Sequence, residues 1–137
     1  MSVQSLINRR AQTQRALSNT RQLKATAQTK IDRLKQAKAE ISQLIVETTQ
    51  MERKLTSFSI SPADWQGSTE RDFRTGPKKS MEKAVSNYVT HLQDSSSRID
   101  QEIQRYMSQI ETYNSQISSY SRTISLLNIE IRNLRNG

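Results

Sequence analysis

From Val85 to Leu134 the apolar residues advance in alternating steps of four and three. The run is Val85, Val89, Leu92, Ser96, Ile99, Ile103, Tyr106, Ile110, Tyr113, Ile117, Tyr120, Ile124, Leu127, Ile131 and Leu134, and only Ser96 is polar. A stripe with that period occupies one face of an α-helix and none of a strand. Sustained over about seven heptads, it predicts a long helix that buries a narrow seam against another helix. The positions between are mostly Ser, Thr, Gln, Asn, Asp and Arg, which suits solvent.

The first half has a looser version of the pattern. Leu34, Ile41 and Leu55 fall at multiples of seven, with Thr48 in the gap. Ala37, Leu44, Met51 and Phe58 form a second row, and Ile31 and Ile45 fill the space between. No proline or glycine interrupts residues 1–58. Residues 1–26 are weaker, with Val3, Leu6, Ile7, Leu17 and Leu23 as the sizeable apolar side chains.

Both prolines, Pro62 and Pro77, and two of the three glycines, Gly67 and Gly76, lie between Ser59 and Pro77, together with the single tryptophan, Trp65. Ser61 is placed to N-cap a short helix with Pro62 at its first position and Asp64 near the capping-box site. That helix is expected over Pro62–Arg74, with Trp65 in its first turn, and Thr75-Gly76-Pro77 is expected to break or kink it. The expected organisation is one domain, residues 1–137: helix over 1–58, connector over 59–77, heptad helix over 78–136. Two helices of nearly equal length joined by a short connector fold back most simply as an elongated all-α antiparallel hairpin, coiled-coil-like, each arm about 80 Å long.

Composition narrows the function. The apolar share of 33% is too small for a layered globular core but sufficient for a seam. There is no cysteine, so no disulfide framework and no thiolate metal site. No apolar run is long enough to cross a bilayer. The first ten residues lack the continuous apolar stretch of a Sec-type signal peptide. No nucleophile elbow, phosphate loop or paired-carboxylate motif occurs, and the single histidine, His91, has no acid cluster at metal-ligand spacing. The chain therefore reads as non-enzymatic, with no cofactor, no metal and no catalytic residue.

The net charge of +8 is concentrated: residues 1–38 hold nine Lys/Arg against Asp32 alone, and the remainder sums to zero. Such a segment can face nucleic acid, an anionic membrane or an acidic protein, or can simply be a solvated helix face. It lacks the interleaved aromatics of single-strand binders and has no zipper in register behind it, which disfavours nucleic acid.

The connector carries a resemblance. Asp64-Trp65-Gln66-Gly67-Ser68-Thr69, followed by Phe73, resembles the bend of the W-x-G superfamily of type VII (ESX-type) secretion substrates, which are helical hairpins with Trp-x-Gly at the turn. Within it, the long basic first helix is most similar to the helical targeting factors, or chaperones, encoded beside LXG polymorphic toxins of Gram-positive bacteria. The resemblance implies an adaptor that binds the helical N-terminal domain of an LXG-type toxin and helps present it to the export machinery. It implies that Trp65, Gly67 and Phe73 form the secretion motif. It also implies a cytoplasmic protein that can leave with its cargo by a Sec-independent route. The family's export signal, Tyr-x-x-x-Asp/Glu, is missing: Tyr88, Tyr106, Tyr113 and Tyr120 are followed four residues on by Leu92, Ile110, Ile117 and Ile124. A second small helical partner would supply it. On the residues alone, Trp65 reads as packing over the end of the helix pair, with Gly67 admitting a close backbone. Likewise Tyr106, Tyr113 and Tyr120 read either as seam residues or as a stripe for a partner. The alternative function is a structural coiled coil that self-associates through its heptad seam.

A docking surface is also expected far from Trp65. In an antiparallel hairpin the apolar stretch Tyr120–Leu134 faces Asn8–Lys30, which offers mainly Leu17, Leu23 and alanines. The mismatch points to Tyr120, Ile124, Leu127, Ile131 and Leu134 as partner-binding residues, covered by an acidic helix that complements residues 1–38.

Overall fold

The computed structural model describes residues 2–57 and 67–137. They form three helices: α1 (Val3–Ser57), α2 (Gly67–Thr75) and α3 (Pro77–Asn136). The fold is all-α, and α1 and α3 make an antiparallel hairpin whose chain reversal lies between Ser57 and Pro77.

The helix ends follow from local chemistry. Ser2 caps α1: its Oγ accepts from the Ser5 amide at 3.1 Å, and its carbonyl accepts the Leu6 amide. The weak apolar pattern of residues 1–26 does not fray the helix, which is continuous from Val3. Pro77 stands at the first position of α3, where an amide hydrogen would have no partner in the helix. The expected break is only one residue wide. Gly76 separates α2 from α3, yet its amide still reaches the Asp72 carbonyl at 3.0 Å and its carbonyl accepts the Ser80 amide at 3.0 Å. Its φ is not positive, so the glycine is not needed there for a left-handed turn. Of the short helix expected over Pro62–Arg74, the part from Gly67 onward is helical; Ser61, Pro62, Asp64 and Trp65 lie outside the described residues.

The seam of α3 lies where its periodicity placed it. Every position from Val85 to Ile131 in the four-three series is buried or half-buried; Leu134 is exposed. The seam of α1 follows the same period but in a different chemistry. Its inward residues run Leu6, Arg10, Thr13, Leu17, Thr20, Lys24, Ala27, Ile31, Leu34, Lys38, Ile41, Ile45, Thr48, Glu52 and Leu55. The second row expected on this helix is corrected in part: Ala37 is half-buried, but Leu44 and Met51 are exposed, and Phe58 lies outside the described residues. Lys38 and Glu52 stand in the seam instead, because long polar chains can lay their stems along apolar surface with their heads in water. Threonine is admitted by a different device. The Thr13 and Thr20 hydroxyls donate to the carbonyls of Arg9 and Ala16 at 2.9 and 2.8 Å, so each closes its polar atom on its own helix and leaves a methyl for the seam.

The chain divides into two compact units, each built from both arms. Unit 1 comprises Met1–Leu34 with Glu102–Gly137. Its core cluster is Leu6, Leu127 and Ile131, flanked by Val3 and Ile7. Arg10 donates to the Asn128 side-chain oxygen at 2.9 Å, and the Lys30 ammonium sits 5.4 Å from the Tyr106 ring centre. Unit 2 is Lys35–Gln101. Here Leu92 and Thr48 are buried, and Lys38 pairs with Asp100 at 2.7 Å. The Lys78 ammonium donates to the Thr56 carbonyl at 3.2 Å, satisfying one of the carbonyls that the end of α1 leaves open.

Candidate functional site

Among the described residues the fold offers long helical surfaces. The depressions on it run along single helix faces, such as that lined by Asn114, Ser115, Ser118, Ser119 and Arg122. Among the described residues no group of three or more His, Cys, Asp or Glu could hold a metal ion, and His91 is exposed. No helix among them is long and apolar enough to cross a membrane.

Of the three motif residues, Gly67 opens α2 and Phe73 is half-buried on it. Trp65 lies outside the described residues. The helix that carries Phe73 leads through Gly76 directly into α3.

The five residues expected to bind a partner are placed unequally. Leu127 and Ile131 are each 3% exposed and pack on Leu6, which is 1% exposed. Tyr120 and Ile124 are half-buried in the seam, and Leu134 is half exposed. Val3, Leu6 and Ile7, which precede the stretch Asn8–Lys30 expected opposite Tyr120–Leu134, are the residues that cover this end. An apolar surplus remains, but on the outer side of α3. Leu126 and Ile129 are 56% and 46% exposed, one turn apart, and Leu134 follows. Leu126 and Ile129 are open to water on that outer face, and Leu134, the last seam position, is open at the helix end. Periodicity could not rank Leu126 and Ile129, because they stand outside the four-three series, which Leu134 ends.

The surroundings are cationic. Unit 1 carries eleven Lys/Arg against four Asp/Glu, a net +7. Arg9, Arg15, Arg21, Lys30 and Arg33 are exposed along α1. One acid in this unit is committed locally: Arg105 donates to Glu102 at 2.6 Å, one turn away on α3. That hydrogen bond, outweighing the desolvation that opposes it, holds the Glu102 carboxyl below its ordinary value and raises the Arg105 guanidinium. Arg105 also lies 4.6 Å from the Tyr106 ring centre, so that ring has a cation from each arm near it. Tyr106, Tyr113 and Tyr120 are all half-buried, at the edge of the seam.

Residues 8–136 match the family model described as YwqH-like. No curated protein and no solved structure matches the chain.

Proposed function

Because the chain belongs to the YwqH-like family, which is W-x-G-like and related to type VII secretion, we propose that it is a non-enzymatic secretion adaptor. It binds the helical N-terminal domain of an LXG-type toxin and presents it to the type VII export machinery. It works in the cytoplasm and can leave with its cargo by that Sec-independent route. A second small helical partner supplies the Tyr-x-x-x-Asp/Glu signal that this chain lacks.

The observation that carries the reading is the family match over a helical hairpin whose reversal holds the Trp65–Gly67 motif. A hairpin whose described residues offer long helical faces and no metal-holding group suits helix-on-helix recognition. In this reading the cargo helix docks on unit 1. Leu126, Ile129 and Leu134 meet it first, and the seam residues Tyr120, Ile124, Leu127 and Ile131 hold the face that presents them. A cargo helix with acidic flanks gains from the +7 charge of the unit, mainly in association rate and orientation.

Co-purification with the toxin's helical domain tests the adaptor role. Leu126→Asp with Ile129→Asp is expected to weaken capture by tenfold or more, since burying two such side chains is worth roughly 3–6 kcal/mol. Both are exposed, so the hairpin persists. Trp65→Ala is expected to reduce export of the cargo more than its binding. Capture unaffected by the first pair moves the docking surface elsewhere; no capture by the unaltered chain removes the adaptor reading.

A further inference from the structure

Two stretches of unit 1 carry one kind of cation. Residues 1–23 and 106–137 hold seven arginines and no lysine against Glu111 and Glu130, a net +5. All eight lysines of the chain lie elsewhere. Charge alone does not distinguish the two residue types. A guanidinium differs from an ammonium in giving two parallel hydrogen bonds to one phosphate or carboxylate and in holding its water less tightly.

Two of these arginines bracket the exposed apolar pair of α3. Arg122, Leu126, Ile129 and Arg132 follow in steps of four, three and three, and all four are exposed. That spacing puts them on one face of the helix. Leu6 of α1 packs on Leu127 and Ile131, so α1 lies on the opposite side of α3. The face is therefore convex, with no second helix of unit 1 beside it. Its other members are Ser125, Asn133 and Asn136, all exposed, and over residues 122–136 it holds no acid. Glu130 stands about 100° round the helix from Ile129.

These properties select among anionic partners. An aliphatic pair adds nothing on a nucleic-acid backbone, and no aromatic ring shares the face to stack on a base. A bilayer interface takes both kinds of side chain at once. Aliphatic chains enter the acyl boundary, arginines on either side meet phosphate, and a convex face needs no groove to receive it. No helix among the described residues is long and apolar enough to cross a membrane, so such contact is peripheral.

We infer that this face of α3 binds the surface of an anionic phospholipid bilayer, with Arg122 and Arg132 on phosphates and Leu126 and Ile129 in the interface. The other arginines of the two stretches add to the field that draws unit 1 to the surface. With two aliphatic chains and a few arginines, the contact is weak, reversible and sensitive to salt. It goes beyond the adaptor reading and does not depend on it. The cargo helix proposed above meets the same Leu126 and Ile129, so bilayer and cargo occupy the face by turns.

Co-sedimentation of the full chain with vesicles tests it, with circular dichroism as the control for folding. Vesicles rich in phosphatidylglycerol are expected to carry the chain down, and pure phosphatidylcholine vesicles are not. Arg122→Gln with Arg132→Gln is expected to lower the partition by about tenfold or more. Leu126→Ser with Ile129→Ser leaves the charge unchanged and is expected to lower it by about tenfold. Arg122→Lys with Arg132→Lys also keeps the charge and is expected to lower it by about threefold or more. Lys79→Gln with Lys83→Gln removes the same charge from exposed positions of unit 2 and is expected to change it by less than about twofold. An unaltered chain that stays in solution beside anionic vesicles would overturn the proposal. So would serine or lysine variants that bind as the unaltered chain does, or a loss from the lysine pair equal to that from the arginine pair, which would mean that net charge and not this face holds the chain. Vesicle binding is read without cargo, so its failure and a failure of cargo capture are distinguishable.

Discussion

Unit 1 and unit 2 share one seam period and differ in almost everything laid beside it. Unit 1 has its core cluster at Leu6, Leu127 and Ile131 and carries Thr13, Thr20 and Lys24 where leucines would ordinarily stand. Its charge is +7, and its exposed Leu126 and Ile129 are on the outer side of α3. Unit 2 is nearly neutral, is crossed by the Lys38–Asp100 pair, and keeps its surplus apolar residues, Leu44 and Met51 among them, beside its own seam. The lesson is that the seam holds the hairpin together and the flanks decide what each unit can meet.

The comparison breaks most readily at Leu6. Leu6→Ala should cost about 2–5 kcal/mol, because it empties the most buried large side chain in the core cluster. Met51→Ala in unit 2 should cost less than about 0.5 kcal/mol, because Met51 is exposed. Chemical denaturation measures both; similar costs would mean that burial does not separate the two positions.

A smaller effect is expected at Thr20. Thr20→Val should stabilise the chain by no more than about 1 kcal/mol: the hydroxyl lost serves only its own helix, and an apolar methyl takes its place. Destabilisation would show that the bond to the Ala16 carbonyl does more than close off a polar atom.

The Lys38–Asp100 pair is exposed on both sides, so Lys38→Met should change stability by less than about 1 kcal/mol and remove a small salt dependence. A thermal-melt series in rising salt reads it.

Smallest of all is the pH effect in unit 1. Glu102 has its carboxyl lowered in the folded chain, so its contribution is present at neutral pH and fades as pH falls through the carboxylate range. Glu102→Gln should remove that slope. Because the pair is fully exposed, the effect should be visible only as a slight change in the acid limb of a stability profile.

The second arm was legible because its seam is written in apolar residues. Val85 to Ile131 are inward as their spacing requires. The first arm was legible only in part: Ile31, Leu34, Ile41, Ile45, Thr48 and Leu55 are inward as their spacing requires, but an antiparallel partner rich in isoleucine and tyrosine tolerates small or polar residues opposite. Arg10, Thr13, Thr20 and Lys24 are inward with no apolar signal to announce them. The same ambiguity made Leu44 and Met51 look like a seam row: a row beside the seam has the heptad period too, and only burial separates the two. The motif residues were visible as a composition shift, but the geometry around Trp65 lies outside the described residues. The buried placement of Leu127 and Ile131 depended on Leu6, whose weight one isolated leucine in a polar stretch could not convey.

The Arg10–Asn128 hydrogen bond links positions 118 residues apart, and Leu6 waits for a partner at least as distant along the chain. A ribosome adds about 5–20 residues per second, so Leu6 precedes Leu127 by roughly 6–24 s. During each round of synthesis α1 leaves the ribosome with its seam uncovered and its cations on display. A helix from another newly made chain has that interval in which to compete with α3, and translation order can thereby set who pairs with α1 first.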